Sequence, residues 1–360
     1  MSGVARIGTR VGRVVVCVGP GGVGKTTIAA AVGLKGALSG LCVCVVTVDP
    51  ARRLANALGI EGVGNEPCLV TPPQGGKAWP GQLWAVMLDA QSTFDHLVRR
   101  YATSNAQVDA ILSNPLYRNI SAALSGTQEY MAVEKLYELA EEDRFDLVVV
   151  DTPPSQHAFD FLEAPQHLVR LLDNRFFRLV MTPARAGLRA LELGAQLMLR
   201  TVARVAGGQV VADTVQFFTQ FEGMEEGFRA RAKRANELLF SETTSFTLVS
   251  TPRRDAVDEA LYLASRLGAA GAPVSSAVMN RCYPRYVGLS PATASLLAGT
   301  PLAPLVANLE AFRQMERQED EQLARVSATL PEAALVRVPL LSGEVCDLTA
   351  LGDVARYLPR

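Results

Sequence analysis

The segment that most constrains this chain is Gly19-Pro20-Gly21-Gly22-Val23-Gly24-Lys25-Thr26, which fits G-x-x-x-x-G-K-[ST]. It follows a β-branched run, residues 13–18 (RVVVCV), and precedes an Ala-rich helical pattern from Thr26 to Leu38 that stops at Gly40. Strand, glycine turn and helix in that order are the context this motif requires. Backbone N–H groups converge on phosphate oxygens only where no Cβ intrudes, and the start of the helix adds partial positive charge. Gly21, Gly22, Val23, Gly24, Lys25, Thr26 and Thr27 are thus candidate nucleotide-binding residues. Lys25 would bring a point charge to the β- and γ-phosphates, and the Thr26 hydroxyl would be a Mg²⁺ ligand. Only five of the 35 basic residues are lysines, so a lysine at this site is unlike generic surface charge.

Five further apolar runs have strand length: Leu41 to Val48, Phe145 to Val150, Phe246 to Ser250, Val274 to Met279 and Leu335 to Leu341. Continuous runs, unlike alternating ones, suit parallel strands covered on both faces. Helical patterns separate them, which predicts an α/β fold: a doubly wound, mostly parallel sheet in three layers. Gly59 to Gly81 is rich in Gly and Pro and reads as irregular loop. Helical blocks at about 90–139 and 165–242 read as a helical subdomain inserted into a single domain spanning 1–360. Two acids follow strands, Asp49 after Leu41 to Val48 and Asp151 after Phe145 to Val150. In a parallel sheet both emerge at the carboxyl edge, beside the glycine loop. Asp151 is then the acid that holds Mg²⁺ through its waters, and Asp49 the group that orients or deprotonates an attacking water.

Composition narrows the function classes. At 49% hydrophobic the 360 residues hold enough apolar side chains for a packed core, which excludes wholesale disorder. A formal charge of −1 argues against a nucleic-acid partner bound through the global field. No apolar run approaches the ~20 residues that span a bilayer, and residues 1–13 lack a signal-peptide core, so a soluble cytoplasmic protein is expected. The six cysteines (17, 42, 44, 68, 282, 346) are scattered without a CxxC and read as small buried hydrophobes. His96 and His167 lie in helical patterns and are expected to be ordinary surface or core histidines. From Pro165 to Ala206, seven Arg stand against one Asp and one Glu. Such a stretch is a solvated face over an apolar stripe, or a surface for a protein client or a membrane to which the protein is peripheral.

Taken together, Gly21 to Thr27, Asp49-Pro50-Ala51 and Asp151-Thr152-Pro153-Pro154-Ser155-Gln156-His157 resemble the phosphate loop and two switch loops of the arsenite-pump and tail-anchored-protein-targeting ATPases. Phe161-Leu162-Glu163-Ala164-Pro165 is similar to that family's F-L-x-x-P after the second switch. Ser125-Gly126-Thr127-Gln128-Glu129 is similar to its P-G-x-x-E helix start, and Val338-Pro339-Leu340-Leu341 with Glu344-Val345 to its C-terminal strand. The resemblance implies ATP and ADP as ligands with Mg²⁺, and a dimer whose active sites face each other. It also implies an adenine pocket that includes Asn280 and, with Thr251, Pro252.

Four departures qualify what is expected. Pro20 replaces the family's second-position lysine, which reaches across the dimer to the partner's nucleotide; Gln156 replaces a glycine ahead of His157; the zinc-binding CxxC is absent, so no zinc site is expected; and the arsenite pump's metalloid-binding cysteine arrangement has no counterpart. The expected function is therefore a dimeric Mg²⁺-dependent ATPase that couples nucleotide state to a client through its helices. A hydrolysis-poor subunit that pairs with a related, lysine-bearing ATPase is the alternative that Pro20 favours. A small-molecule kinase or ligase is disfavoured by the Asp49-Pro50-Ala51 and Asp151-Thr152-Pro153 loops.

Overall fold

Strand β1 (Val14–Val18) is buried at every position, as a run of β-branched residues without a polar face requires. It pairs in parallel with β5 (Leu147–Asp151) on one side and β6 (Thr244–Ser250) on the other. Outward from β5 lie β2 (Cys42–Thr47), β4 (Gln82–Met87) and β3 (Cys68–Val70); outward from β6 lie β7 (Val274–Cys282) and β8 (Ala334–Pro339). The sheet order is β3-β4-β2-β5-β1-β6-β7-β8, parallel throughout except for the antiparallel pair of β3 with β4. This is the α/β, mostly parallel architecture that the apolar runs predict. The chain leaves β1 toward β2 and leaves β6 toward β7, so the carboxyl ends of β1 and β6 flank a switch point where ligands bind in such sheets.

The computed structural model describes residues 13–48, 53–60, 64–73, 75, 77–114, 117, 127–153, 155–173 and 220–359. Asp49, Pro50, Ala51, Arg52, Ser125, Gly126, Pro154 and most of the Arg-rich stretch 165–206 lie outside them, as do the side chains of Gln156 and His157. Among the described residues, no helix is long and apolar enough to cross a membrane.

The chain divides into two compact units. The first comprises Met1–Met87, Glu142–Ala158 and Glu242–Arg360 and holds the sheet. Its helices are α1 (Lys25–Leu38), α2 (Arg53–Leu58), α8 (Arg254–Ala269), α9 (Pro291–Leu297), α10 (Ala303–Thr329) and α11 (Leu348–Tyr357). Helix α1 is buried on most of its length because its small residues let it lie against β2 and β5 on one side and α11 on the other. The core here is built from Val15, Ile28, Val45, Leu83, Val149 and Leu351 with their neighbours.

Two elements escaped the sequence pattern. Residues 68–70, within the stretch read as irregular, form β3, and Gln82–Met87 forms β4. β3 has three residues and pairs only at the sheet edge, too short to show a period. β4 mixes exposed Gln82 and half-buried Trp84 with buried Leu83, Ala85 and Val86, and the Gly- and Pro-rich stretch before it hides its start.

The second unit, Leu88–Glu141 with Phe159–Ser241, is helical among its described residues. It contains α3 (Ala90–Tyr101), α4 (Asn105–Ser113), α5 (Thr127–Glu141), α7 (Glu225–Leu239) and all but the start of α6 (Ser155–Asp173). Phe94 stacks on Tyr117 at 5.4 Å and meets Phe228 edge-on at 6.1 Å, which centres an aromatic core. Beside it Arg231 donates to Glu134; their side chains are 4% and 1% exposed. Burial pushes the Glu134 carboxyl up, against the pull of Arg231. Removing one member strands the other charge out of water, which costs about 3–5 kcal/mol. Arg231→Ala should destabilise this unit by that order in urea unfolding; a loss within about 0.5 kcal/mol, the range of an ordinary surface substitution, would show the pair to be idle.

Candidate functional site

The loop between β1 and α1 owes its shape to its glycines. Gly24 caps α1 at φ 94°, ψ 29°, a left-handed conformation that a β-carbon disfavours. A Cβ there would also sit 2.4 Å from Asn280 Nδ2, so the loop and the end of β7 touch. A Cβ on Gly19 would lie 2.0 Å from the Val249 carbonyl oxygen of β6. The loop thus lies directly over the ends of β6 and β7.

Lys25 opens α1, is 7% exposed, and folds its ammonium back into the loop, donating to the carbonyls of Gly19 (3.0 Å) and Pro20 (2.8 Å). Thr26 Oγ1 donates to Asp151 Oδ2 at 2.6 Å, and Thr47 Oγ1 donates to the same oxygen at 2.9 Å. Asp151 is the last residue of β5, not the first after it, and is 1% exposed. Its neighbour Thr152 is tied to β1 by a 2.7 Å hydrogen bond from its hydroxyl to the Cys17 carbonyl. Parallel register places Thr47 and Cys17 opposite Asp151 on either side, so three strand ends meet at one carboxylate.

Burial, then the Asp151 carboxylate, push the Cys17 thiol far up, with Lys25 opposing. Cys17 is thus an inert thiol. Cys44 and Cys282 are also buried, but Cys42 and Cys68 are half-buried and Cys346 is exposed, so the reading of all six as core residues holds for three.

A cavity of about 400 Å³ opens on the same edge. Its walls come from the loop (Pro20 to Val23), the turn after β6 (Thr251, Pro252, Arg253) and the end of β7 (Arg281, Tyr283), with Glu319 and Leu340 farther along the chain. Proline and tyrosine faces suit a ligand with a flat ring, while the charged lining is mixed: Arg253, which pairs with Asp255, and Arg281 stand with Glu259 and Glu319. Asn280, expected just after a strand, stands inside β7; it is 7% exposed, and its Nδ2 donates to the Val23 carbonyl at 2.9 Å.

The oxygen donors gathered at the loop, the Thr26 hydroxyl and the Asp151 carboxylate, are the type Mg²⁺ takes, and their convergence at the start of α1 fits such an ion. Among the described residues, no group of three or more His, Cys, Asp and Glu side chains is placed to hold a metal by itself. Mg²⁺ typically takes one or two protein carboxylates plus substrate phosphates, so the two observations agree. Thr47 and Arg281 were not legible as site residues. A lone threonine near the end of an apolar run was the only signal for the first, and Arg281 gave none.

A family model described as anion-transporting ATPase matches residues 12–360. ATPase ARSA1 of Chlamydomonas reinhardtii is 26% identical over 291 residues, covering 73% of this chain and 34% of the algal protein. Protein Rv2184c of Mycobacterium tuberculosis is 28% identical over 360 residues, 95% of this chain and 74% of the relative. ATPase GET3 of Kluyveromyces lactis is 28% identical over 172 residues, 43% of this chain and 46% of the yeast protein. The chain spans less than half the length of several curated relatives it matches, the algal and yeast proteins among them.

Proposed function

Because the chain belongs to the anion-transporting ATPase family, we propose that it is a Mg²⁺-dependent ATPase that works as a dimeric switch. The observation that carries this reading is the set of hydroxyls on one buried carboxylate, Thr26 and Thr47 on Asp151, beneath a glycine loop whose lysine is folded inward. Thr26 and Asp151 would hold Mg²⁺, the latter through water, and the ion would neutralise charge on the β- and γ-phosphates. Gly21 to Thr27 present backbone amides and Lys25 to the phosphates, and Asn280 and Pro252 border the base. Asp49 positions the water. The Asp151-Thr152-Pro153 segment, pinned to β1 at Thr152, is the lever that nucleotide state moves, with His157 farther along it. The helical segments at about 90–139 and 165–242 act as a subdomain that passes this change to a client. The protein works in the cytoplasm.

Calorimetry with ATP and phosphate release with and without Mg²⁺ test this reading. Sedimentation with and without ATP tests the dimer. No binding by the purified protein would end it.

A second reading rests on Pro20. Proline has no N–H, so the loop offers one amide fewer, and it carries no charge toward a partner subunit. A cation at the γ-phosphate is worth a great deal in rate, as arginine fingers show. The protein alone is therefore expected to bind ATP but hydrolyse it slowly. Pro20→Lys should raise phosphate release by about tenfold or more, and mixing in a lysine-bearing relative should do the same. If Arg52 or Arg53 beside the first switch supplies the cation instead, the wild type is already active and an Arg→Ala change there abolishes turnover but not binding. Brisk turnover that survives both Arg→Ala changes removes the case for a heteromer.

A further inference from the structure

Among the described residues, Arg281 is the one non-glycine residue with positive φ, at 59°. The pairing of β7 with β8 slips in register between Met279 and Cys282, where it sits. A long side chain is costly in this backbone region, and a glycine would adopt it freely. Arginine at such a place means that its side chain does something glycine could not.

What it does is visible in its contacts. The Arg281 guanidinium donates to the Gly22 carbonyl at 3.2 Å, while Asn280 Nδ2 donates to the next carbonyl, Val23, at 2.9 Å. The backbone N–H of Arg281 donates to Asn280 Oδ1 at 2.9 Å, which fixes the amide of Asn280 in the orientation that offers nitrogen to the loop. Two consecutive residues of one strand thereby hold two consecutive carbonyls of the glycine loop. The peptide group couples each carbonyl to the N–H of the residue after it, pointing the opposite way. Holding the carbonyls of Gly22 and Val23 on the β7 side therefore fixes the N–H groups of Val23 and Gly24. The left-handed turn at Arg281 is what lets neighbouring side chains reach the same loop, since in a regular strand they would point to opposite faces.

We propose that Arg281 is a positioning residue for the phosphate loop: with Asn280 it clamps Gly22 and Val23 so that the loop amides are set for an anion before it arrives. This rests on the reading of the loop as a nucleotide site. Preorganisation of this kind lowers the ordering cost of binding.

The test is Arg281→Gly, which keeps the left-handed backbone and removes only the side chain. A residue that merely shapes the turn would give a protein as stable or more stable, with unchanged affinity for ATP. The clamp instead predicts an ATP dissociation constant raised about tenfold by calorimetry, at an unchanged or higher melting temperature without nucleotide. Arg281→Lys, which keeps a cationic donor on a shorter side chain, should fall between the two. Wild-type affinity in Arg281→Gly overturns the clamp, as does an affinity loss that comes with a lowered melting temperature. A wild-type protein that fails to bind ATP overturns the site reading instead, so the two failures are distinct.

Discussion

Lys25→Ala should weaken ATP binding by about 10²-fold or more while the fold persists. The ammonium is the one group of the loop that can carry a full positive charge to the phosphates. A hydrogen bond to a charged group is worth about 1.5–3 kcal/mol, and a lysine between two phosphates makes more than one. At 1.4 kcal/mol per decade, two such contacts amount to about two decades or more. The same ammonium bridges the Gly19 and Pro20 carbonyls, so its loss also loosens the start of the loop. Measuring the melting temperature without nucleotide separates these effects: it reports the bridge, whereas calorimetry reports the phosphate contact. Unchanged affinity in Lys25→Ala would show that the loop is no phosphate site.

Asp151→Asn should cut phosphate release by about 10²–10³-fold and raise the Mg²⁺ concentration needed for half-maximal rate. The carboxylate gathers the Thr26 and Thr47 hydroxyls on one oxygen in a site that is 1% exposed, where a negative charge belongs only if a cation answers it. Asparagine keeps the volume but removes the charge, so the effect runs through the metal and ATP affinity without Mg²⁺ should change little. Asp49→Asn is its counterpart: binding and Mg²⁺ dependence stay, and turnover alone falls by on the order of 10²-fold. Equal Mg²⁺ curves for wild type and Asp151→Asn would move the metal-holding role elsewhere.

The phosphate loop was legible because its demands are local. Positive φ at Gly24, glycines where the loop meets the ends of β6 and β7, a lysine at the first turn and a strand before it all write themselves into adjacent positions. The central strands were legible for a similar reason: burial on both faces leaves a run of apolar residues, as in β1 and β2. β3 was not, since a short edge strand needs no such run, and neither was β4, whose mixed exposure and Gly- and Pro-rich approach break the run.

The candidate site also mixes the two kinds of information. Lys25, Thr26 and Asp151 followed from motif and strand-end position, because a parallel sheet sends every strand end to one edge. Which strand ends become neighbours is another matter. Thr47 reaches Asp151 across 104 residues, and Asn280 and Arg281 reach the loop across 257 and 259. Strand order puts β5 between β2 and β1, and β6 between β1 and β7, and only that order brings them together.

The sequence by itself determined that a glycine loop joins a buried strand to a helix within a parallel α/β sheet, because each of those features is a local steric or burial requirement on consecutive residues. Only the tertiary structure decided that one carboxylate collects two threonines and that a left-handed arginine at the end of β7 grips the loop. Those contacts depend on strand order and on a register slip, and neither leaves a mark on the residues beside them.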